Sequence, residues 1–247
     1  MRAPPQAIHA PHFPRDLRWA NVATLRLDQQ RGRPILVEFF DPLRVHSLRT
    51  LPYIRAWHDR YDGDGLRVVS VLAPGFAPAR DETVARAAVL RLGIEHAVAL
   101  DLDFRLWQLY GNRGWPARYL WDQGLLLHEY HLGQGGYLET EEAIQELLGV
   151  QREPLAPVRV EDAPDARLAA PSPDEDGPWS GAYEAGGVWS VLEGAGEVTA
   201  NGRTVAVDGA ACYPLVLHER HTAAQLELWV GPGVTCHAVQ FEPGLVD

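Results

Sequence analysis

Residues 31–40 read RGRPILVEFF, in which a turn and a proline precede a continuous run of branched and aromatic side chains. A short apolar run bounded by turn residues predicts a strand that is covered on both faces at the centre of a sheet. Residues 66–72, LRVVSVL, have the same character and predict a second buried strand. We therefore begin the fold prediction from these two strands.

Helices are predicted between and after the buried strands. Apolar side chains recur at helical spacing from about residue 44 to residue 61, and Pro52 inside this segment predicts a kink. Asp81, Asp103 and Thr140 precede three further apolar-periodic segments and are predicted N-caps. With a short strand at 97–100, a hairpin of strands at 117–121 and 125–131, and Gly149 as the stop of the last helix, the first part of the chain predicts an α/β domain.

The second part of the chain has a different composition. Residues 151–177 are rich in Pro, Ala and acidic side chains, which indicates a linker. From residue 178 onward, short alternating segments are punctuated by glycine pairs, and Asn201-Gly202 is a strong hairpin signal. Five or six short strands predict a small all-β sandwich. The predicted organisation is an N-terminal arm at 1–18, an α/β domain at 19–150, a linker at 151–177 and a β-sandwich at 178–247.

Composition and charge exclude several classes of function. The net charge is −11, which argues against a nucleic-acid partner, and all 22 basic residues are arginine. Without lysine there is no Walker-type phosphate loop and no Schiff-base lysine. No window approaches the roughly 20 apolar residues that span a bilayer, and no signal peptide is recognisable near the start. We expect no membrane association and a cytoplasmic location.

The two cysteines, Cys212 and Cys236, are too few and too far apart for a zinc or iron–sulfur site. We interpret them as buried thiols in a reducing compartment. His128 and His131 do not match the helical HExxH motif and are interpreted as structural residues. His218 and His221 sit at an expected turn, where a metal site is an open alternative to an ordinary polar loop. No metal or other cofactor is predicted.

Several segments together resemble a known family. They are the strand ILVEFF, Arg49 with the LPY that follows at 51–53, the stretch ALDLDFRLWQLYGN at 99–112, Trp115-Pro116-Ala117, and residues 133–137. These segments resemble the TlpA/ResA-like thioredoxins, within the wider redoxin and AhpC/TSA-like group, and most closely the C-terminal region of DipZ-type thiol oxidoreductases. The resemblance implies a thioredoxin-like fold followed by a carbohydrate-binding-module-like β-sandwich. It also implies a cis Trp115–Pro116 bond in a loop that pairs with extended substrates.

The catalytic dithiol of that family is missing here. When Pro52 is placed on the family's kink proline, Arg44, Val45, His46 and Ser47 stand where the CxxC motif belongs. A thiolate is the nucleophile of disulfide exchange, and neither arginine nor serine can replace it. Positions where the family tends to carry acids hold Gly75, Ala79 and Gln134 instead. We predict retention of the fold, loss of redox chemistry and no catalytic residue, with an enzymatic activity left open but not favoured.

Three functions follow as hypotheses. The first is a redox-inactive binding or adaptor protein that uses the Trp115–Pro116 loop to hold a protein, a peptide or a small anion. The second is an enzyme that stabilises a glutathione-type thiolate with Ser47, and the third is saccharide binding by the β domain. For the vacated site, one expectation is an anion held at the helix N-terminus by Arg44 and His46. The alternative is that Arg44 pairs with an acid such as Asp41.

Overall fold

A computed structural model describes residues 1–2 and 7–246 of the chain. These residues form two compact units. The first comprises Met1–Pro42, His46–Pro74 and Arg80–Val158, and the second comprises Leu43–Val45, Gly75–Ala79 and Arg159–Asp247. Two short segments near residues 44 and 77 therefore cluster with the C-terminal part of the chain.

The first unit is built on a six-stranded mixed sheet. The strand bounds are β1 Arg18–Trp19, β2 Ile35–Phe40, β3 Arg67–Leu72, β4 Ala97–Leu100, β5 Ala117–Trp121 and β6 Leu127–Leu132. These strands lie in the order β1-β4-β3-β2-β5-β6, with β2, β3 and β4 parallel and the other neighbours antiparallel. The six residues of β2 are all buried, as their apolar run predicts.

Four α-helices cover the sheet: α1 Val45–Tyr61, α2 Glu82–Arg91, α3 Arg105–Leu109 and α4 Tyr137–Leu148. Pro52 lies inside α1, and Asp81 caps α2 by accepting the backbone N–H groups of Thr83 and Val84, both as predicted. Gly149 ends α4 in the left-handed conformation at φ +66°. Short 3-10 helices lie at Leu27–Gln30, Asp62–Asp64, Ala77–Arg80 and Val160–Asp162.

Two predicted N-caps are wrong. The residue before α3 is Phe104 in a left-handed conformation at φ +61°, and its helix is capped from a distance by Asp101, whose carboxylate accepts the N–H groups of Leu106 and Trp107 at 2.9 and 2.8 Å. Asp103 does not take this role because the turn between Asp101 and the helix brings the earlier carboxylate to the terminus. Thr140 lies inside α4, and its hydroxyl donates to Glu129.

Apolar clusters lie on both faces of the sheet. Alternate side chains of β2 divide between them: Ile35, Val37 and Phe39 face one cluster, whereas Leu36 faces the other. The second cluster is completed by Trp57 of α1 and by α4. This two-sided burial is what the continuous apolar run of β2 requires.

The predicted N-terminal arm is packed against the first unit in its described part, and residues 3–6 lie outside the described residues. The carbonyl of Ile8 accepts the N–H of Leu127, and the N–H of Ala10 donates to Leu125, both at 2.9 Å. Ala10 and Phe13 are buried in the first apolar cluster. The prediction of a separate arm at 1–18 therefore needs correction, because these residues continue the core of the α/β unit.

The second unit is an all-β sandwich. Its strands are β7 Leu168–Ala169, β8 Glu175–Asp176, β9 Gly181–Ala200, β10 Arg203–Asp208, β11 Ala211–Leu226, β12 Leu228–Val230, β13 Val234–Glu242 and β14 Gly244–Leu245. The first part of β9 pairs with β11 and β13, and its last residues pair with β10 and β12. Asn201 and Gly202, both with positive φ, form the predicted two-residue turn between β9 and β10.

Two expectations for this unit need correction. We expected five or six short strands, but β9 has 20 residues and β11 has 16. The length of β9 is possible because it changes sheets near Gly194, where a side chain would collide with the carbonyl of Gly233. We also expected a linker at 151–177, whereas residues from 159 onward belong to the second unit and supply β7 and β8. None of the described helices is long and apolar enough to cross a membrane.

Candidate functional site

The residues on which the resemblance places the CxxC motif lie at the start of α1. Arg44 precedes the helix, and Val45, His46 and Ser47 are its first three residues. The first N–H groups of a helix have no partner within the helix and carry a partial positive charge. The terminus can bind a ligand only through N–H groups that do not already donate to another part of the protein.

Within the second unit, to which Leu43–Val45 belong, a glutamine binds the first N–H of this terminus. The N–H of Val45 donates to Oε1 of Gln240 at 3.2 Å, and Nε2 of Gln240 donates to the carbonyl of Leu43 at 2.9 Å. The Gln240 side chain is fully buried, and Leu43–Val45 belong to the same unit as β13, which carries it. A single neutral carboxamide thus binds both a donor and an acceptor of the backbone on either side of Arg44.

Arg44 has an acidic partner in Asp174. A guanidinium nitrogen of Arg44 lies 3.6 Å from a carboxylate oxygen of Asp174, and the guanidinium carbon lies 4.9 Å from the ring centre of Phe76. Asp41, which we named as an example of an acid that could pair with Arg44, is fully buried. The charge of Arg44 is therefore matched by a carboxylate of the linker segment that the sequence analysis set aside.

The hydroxyl of Ser47 is committed to the backbone. Ser47 is fully buried, and its Oγ accepts the N–H of Asp41 at 3.1 Å. This bond ties the first turn of α1 to the end of β2. A hydroxyl in this position is not presented to a bound thiol, so the geometry does not favour the glutathione-type hypothesis.

The side chain of His46 contacts Gln134, another residue that the sequence analysis named. Its Nδ1 lies 3.0 Å from Oε1 of Gln134, in the glycine-rich loop that precedes α4. Ala79, at another position where the family tends to carry an acid, is fully buried in an apolar cluster with Leu43 and Val191. An acidic side chain at residue 79 would be desolvated there, which is a physical reason for its absence.

The Trp115–Pro116 peptide bond is cis, as the resemblance implies. The indole N–H of Trp115 donates to the carbonyl of Ala73 at 2.8 Å, just after the end of β3. Its ring lies 4.3 Å from that of Trp107 and 6.3 Å from that of Phe104. These three half-buried aromatic residues form a cluster beside the cis-proline.

The sequence analysis missed a row of polar residues buried across the sheet. Glu38 of β2 lies directly opposite Ser70 of β3 on one side and Arg118 of β5 on the other. The Ser70 hydroxyl donates to Glu38 at 2.8 Å and lies 2.7 Å from Nε2 of His96. The signal was available in the sequence. The run ILVEFF predicts a central strand with both faces covered, so the acid within it, Glu38, is expected to be buried. We call Glu38, Ser70, His96 and Arg118 the buried polar row.

Burial changes the ionisation of the row. Desolvation raises the pKa of Glu38 to about 7, against the opposing effects of the Ser70 hydrogen bond and the Arg118 charge. Burial lowers the pKa of His96 to about 3. Arg118 donates to the carbonyl of Gly135 at 2.5 Å and lies over the rings of Trp57 and Tyr137. Nδ1 of His96, Oε1 of Glu38, and Nε and Nη1 of Arg118 are buried without a hydrogen-bond partner.

The histidine pairs do not form a metal site. His218 contacts the hydroxyl of Tyr183 at 2.9 Å, whereas His221 lies 3.6 Å from the carboxylate of Glu184. Because Tyr183 and Glu184 are neighbours on β9, their side chains point to opposite faces of the strand. In the part of the chain that the structure describes, no group of three or more His, Cys, Asp or Glu side chains could hold a metal ion.

The other candidate residues have separate partners. His128 lies 3.8 Å from the carboxylate of Glu146, and His131 lies 3.2 Å from the carbonyl of Gln134. Cys212 and Cys236 are buried and are not joined by a disulfide. Burial raises the pKa of the Cys236 thiol, and Sγ of Cys212 lies 3.6 Å from Nε2 of Gln240. Both thiols are buried, whereas a reactive cysteine is exposed.

No model of a known protein family matches the chain. Two curated relatives, the proteins DipZ of Mycobacterium bovis and Mycobacterium tuberculosis, are each 30% identical to it over 133 residues. The match covers 53% of this chain and 19% of each relative, so the chain spans about a fifth of their length.

Solved structures resemble the first unit. The thiol:disulfide interchange protein DsbE from Chlorobium tepidum superposes with a TM-score of 0.51 and 21% identity, covering 58% of this chain and 97% of that protein. A protein of the thioredoxin-like superfamily superposes with a TM-score of 0.51 and 23% identity, covering 60% and 100%. At these identities the likeness establishes the fold alone.

Proposed function

We propose that this chain, whose first unit has the thioredoxin-like fold and whose second unit is a β-sandwich, is a binding protein without thiol–disulfide chemistry. The observation that carries the proposal is the state of the α1 terminus. No thiol stands at residues 44–47, the hydroxyl of Ser47 is buried, and Gln240 holds the N–H of Val45. With no thiol, a buried hydroxyl and its first N–H already bound, this terminus has no nucleophile for disulfide exchange.

The binding surface that we propose is the aromatic cluster beside the cis-proline. Phe104, Trp107 and Trp115 are half-buried and pack against one another, and the indole hydrogen bond to Ala73 holds Trp115 in place. Aromatic side chains with one exposed side are favourable contacts for peptide segments because they bury a large area at a small entropic cost. The occupant in this proposal is an extended protein or peptide segment.

Two further parts of the proposal concern charge and location. Arg44 is paired with Asp174, so we favour a peptide over a small anion as the ligand. A cytoplasmic, reducing location is supported by the two buried and unbridged cysteines. In the second unit, Trp229 is exposed at the surface, but no other exposed Trp, Tyr or Phe lies among the described residues there, so a saccharide platform is not favoured.

The loss of redox chemistry is tested by insulin reduction in the presence of dithiothreitol. We expect the wild-type chain to leave the rate at that of the thiol blank. The variant that combines Arg44→Cys with Ser47→Cys provides the positive control, and mass spectrometry after oxidation shows whether its two thiols close a disulfide. A wild-type rate above the blank would contradict the proposal.

Peptide binding is tested separately with carboxymethylated insulin B chain, an extended peptide that cannot exchange disulfides. We expect saturable shifts of the Trp107 and Trp115 indole N–H signals in NMR spectra, and a loss of binding of about fivefold or more in Trp107→Ala. Trp229→Ala, which removes an exposed tryptophan of the other unit, should bind as the wild type does. Equal effects of the two substitutions would refute the aromatic cluster as the binding surface.

A further inference from the structure

A groove of about 590 Å³ opens on the first unit, between the N-terminal segment, the end of α3 and the outer strands of the sheet. Its wall is aromatic and includes Tyr110, Tyr119, Trp121 and Tyr130. Neither Trp115 nor Pro116 lines it, so the groove is separate from the surface proposed above. Its volume lies within the range of small-molecule sites, roughly 300–1,000 Å³.

The aromatic wall is preorganised by contacts among its own rings. The ring centre of Tyr110 lies 5.5 Å from that of Tyr119 and 5.8 Å from that of Trp121, and both pairs are in edge-to-face geometry. Tyr119 is further held by a hydrogen bond from its hydroxyl to Asn112 at 3.0 Å. Rings fixed in this way lose little freedom when a flat ligand packs against them, which favours a planar aromatic guest over a flexible chain.

The charge of the groove is opposite to that of the chain. Arg113 and His9 line it, and both are exposed. Arg113 has no ion pair or hydrogen bond with any described residue. None of the described lining residues is acidic, although the chain has 33 Asp and Glu residues and a net charge of −11. An unpaired cation beside an apolar wall attracts an anion whose body is hydrophobic.

We propose that this groove is a binding site for a small planar aromatic carboxylate. The rings of the ligand pack against the wall formed by Tyr110, Tyr119 and Tyr130, and the carboxylate lies at the rim beside Arg113. Trp121 supports this wall from the interior, where it is almost fully buried. A guanidinium can bind a carboxylate through two parallel hydrogen bonds, which fixes the orientation of a flat ligand. This site is independent of the peptide-binding surface, and either one can be absent without the other.

Isothermal titration calorimetry of the full chain with three probes tests the proposal. The probes are 2-naphthoate, its neutral analogue 2-naphthamide, and decanoate, which has the charge but no ring. We expect 2-naphthoate to bind with a dissociation constant on the order of 0.1–1 mM, and the other two to bind at least about fivefold more weakly. Equal binding of 2-naphthoate and 2-naphthamide, tighter binding of decanoate, or no saturable binding of 2-naphthoate overturns the proposal.

Two pairs of variants locate the site. Arg113→Gln should weaken 2-naphthoate at least about fivefold and leave 2-naphthamide unchanged, whereas Arg91→Gln, on the surface of α2, should change neither. Leu109→Trp, at an exposed position that lines the groove, should reduce binding of both aromatic probes by filling the space, and Leu90→Trp on α2 should not. If the groove variants bind 2-naphthoate as well as their controls do, the ligand lies elsewhere and the assignment is wrong.

Discussion

Two buried polar sites of this molecule differ in how completely their hydrogen bonds are satisfied. At the start of α1, the carboxamide of Gln240 binds the N–H of Val45 and the carbonyl of Leu43 with neutral groups on both sides. In the buried polar row, Glu38 lies between Ser70 and Arg118, so two ionisable side chains share the middle of the sheet. Oε1 of Glu38 and two nitrogens of Arg118 have no hydrogen-bond partner.

The difference shows where ionisation affects stability in a chain that has no cysteine at residues 44–47. A neutral amide that matches a donor and an acceptor has no charge to desolvate, so its contribution to stability does not depend on pH. A buried acid beside a buried guanidinium lowers the free energy of unfolding when the acid is ionised, because its charge has been removed from water. We therefore expect substitutions in the row to have larger effects than substitutions at the helix terminus, and to depend on pH.

The largest expected effect is that of Arg118→Met. This change removes the hydrogen bond to the carbonyl of Gly135 and the cation from beside Glu38, and we expect the free energy of unfolding to fall by about 3–5 kcal/mol in urea titrations at pH 8. Combining it with Glu38→Leu removes both charges, so the double variant should be more stable than Arg118→Met alone. A double variant that is less stable than the single one would show that the pair is not the source of the cost.

Glu38→Gln tests the pH dependence of the row. The native pKa of Glu38 is about 7, above the ordinary 4.5, so the folded state binds more protons than the unfolded state between these values. The stabilisation from the bound proton is complete below about pH 4.5 and is lost as the pH rises through about 7. Glutamine cannot ionise, so the stability of Glu38→Gln relative to the wild type should rise by about 3 kcal/mol between pH 4 and pH 8.

The wild-type profile alone would not reveal this effect, because His96 acts in the opposite direction. Its native pKa of about 3 lies below the ordinary 6.5, so its contribution is present above about pH 6.5 and is lost as the pH falls. Urea titrations of the wild type and Glu38→Gln at matched pH values cancel the histidine contribution. A stability difference that stays constant with pH would exclude Glu38 as the titrating group.

A smaller effect is expected from Gln240→Ala at the helix terminus. The change leaves the N–H of Val45 and the carbonyl of Leu43 buried without this partner, which should cost about 2 kcal/mol of unfolding free energy at any pH from 5 to 8. Gln225→Ala, at an exposed position on β11, is the matched control and should change stability by less than about 0.5 kcal/mol. A pH-dependent loss in Gln240→Ala would remove the distinction between the two sites.

The smallest effect on the free energy of unfolding is expected at Asp101, an ionisable group whose carboxylate is fully hydrogen-bonded. Asp101 is fully buried, and its carboxylate accepts two backbone N–H groups of α3. Asp101→Ala should cost about 1–2 kcal/mol, and Asp103→Ala less than about 0.5 kcal/mol. Thermal unfolding of the two variants compares them directly, and a larger loss in Asp103→Ala would restore the sequence-based assignment of the cap.

The sequence was a good guide to local structure wherever a residue type has one physical role. The apolar run at 35–40 had to be a central strand, Asp81 capped the helix that followed it, and Asn201-Gly202 made a two-residue turn. Prediction failed at Asp103, because Asp101 caps α3 instead, and at Thr140, because α4 begins three residues earlier at Tyr137. Local spacing does not decide between Asp101 and Asp103, because the path of the turn determines which carboxylate reaches the N–H groups.

The sequence by itself determined that residues 44–47 hold no dithiol for thiol–disulfide exchange, because this requires only that no cysteine stands there. It also determined the order of strands and helices from β2 to α4, through the periods of the apolar residues. Only the tertiary structure decided which side chains meet at the start of α1 and in the buried polar row. Gln240 lies 195 residues from Val45, and His96 lies 26 residues from Ser70. Contacts over such separations follow from strand pairing and packing, which no local pattern of residues encodes.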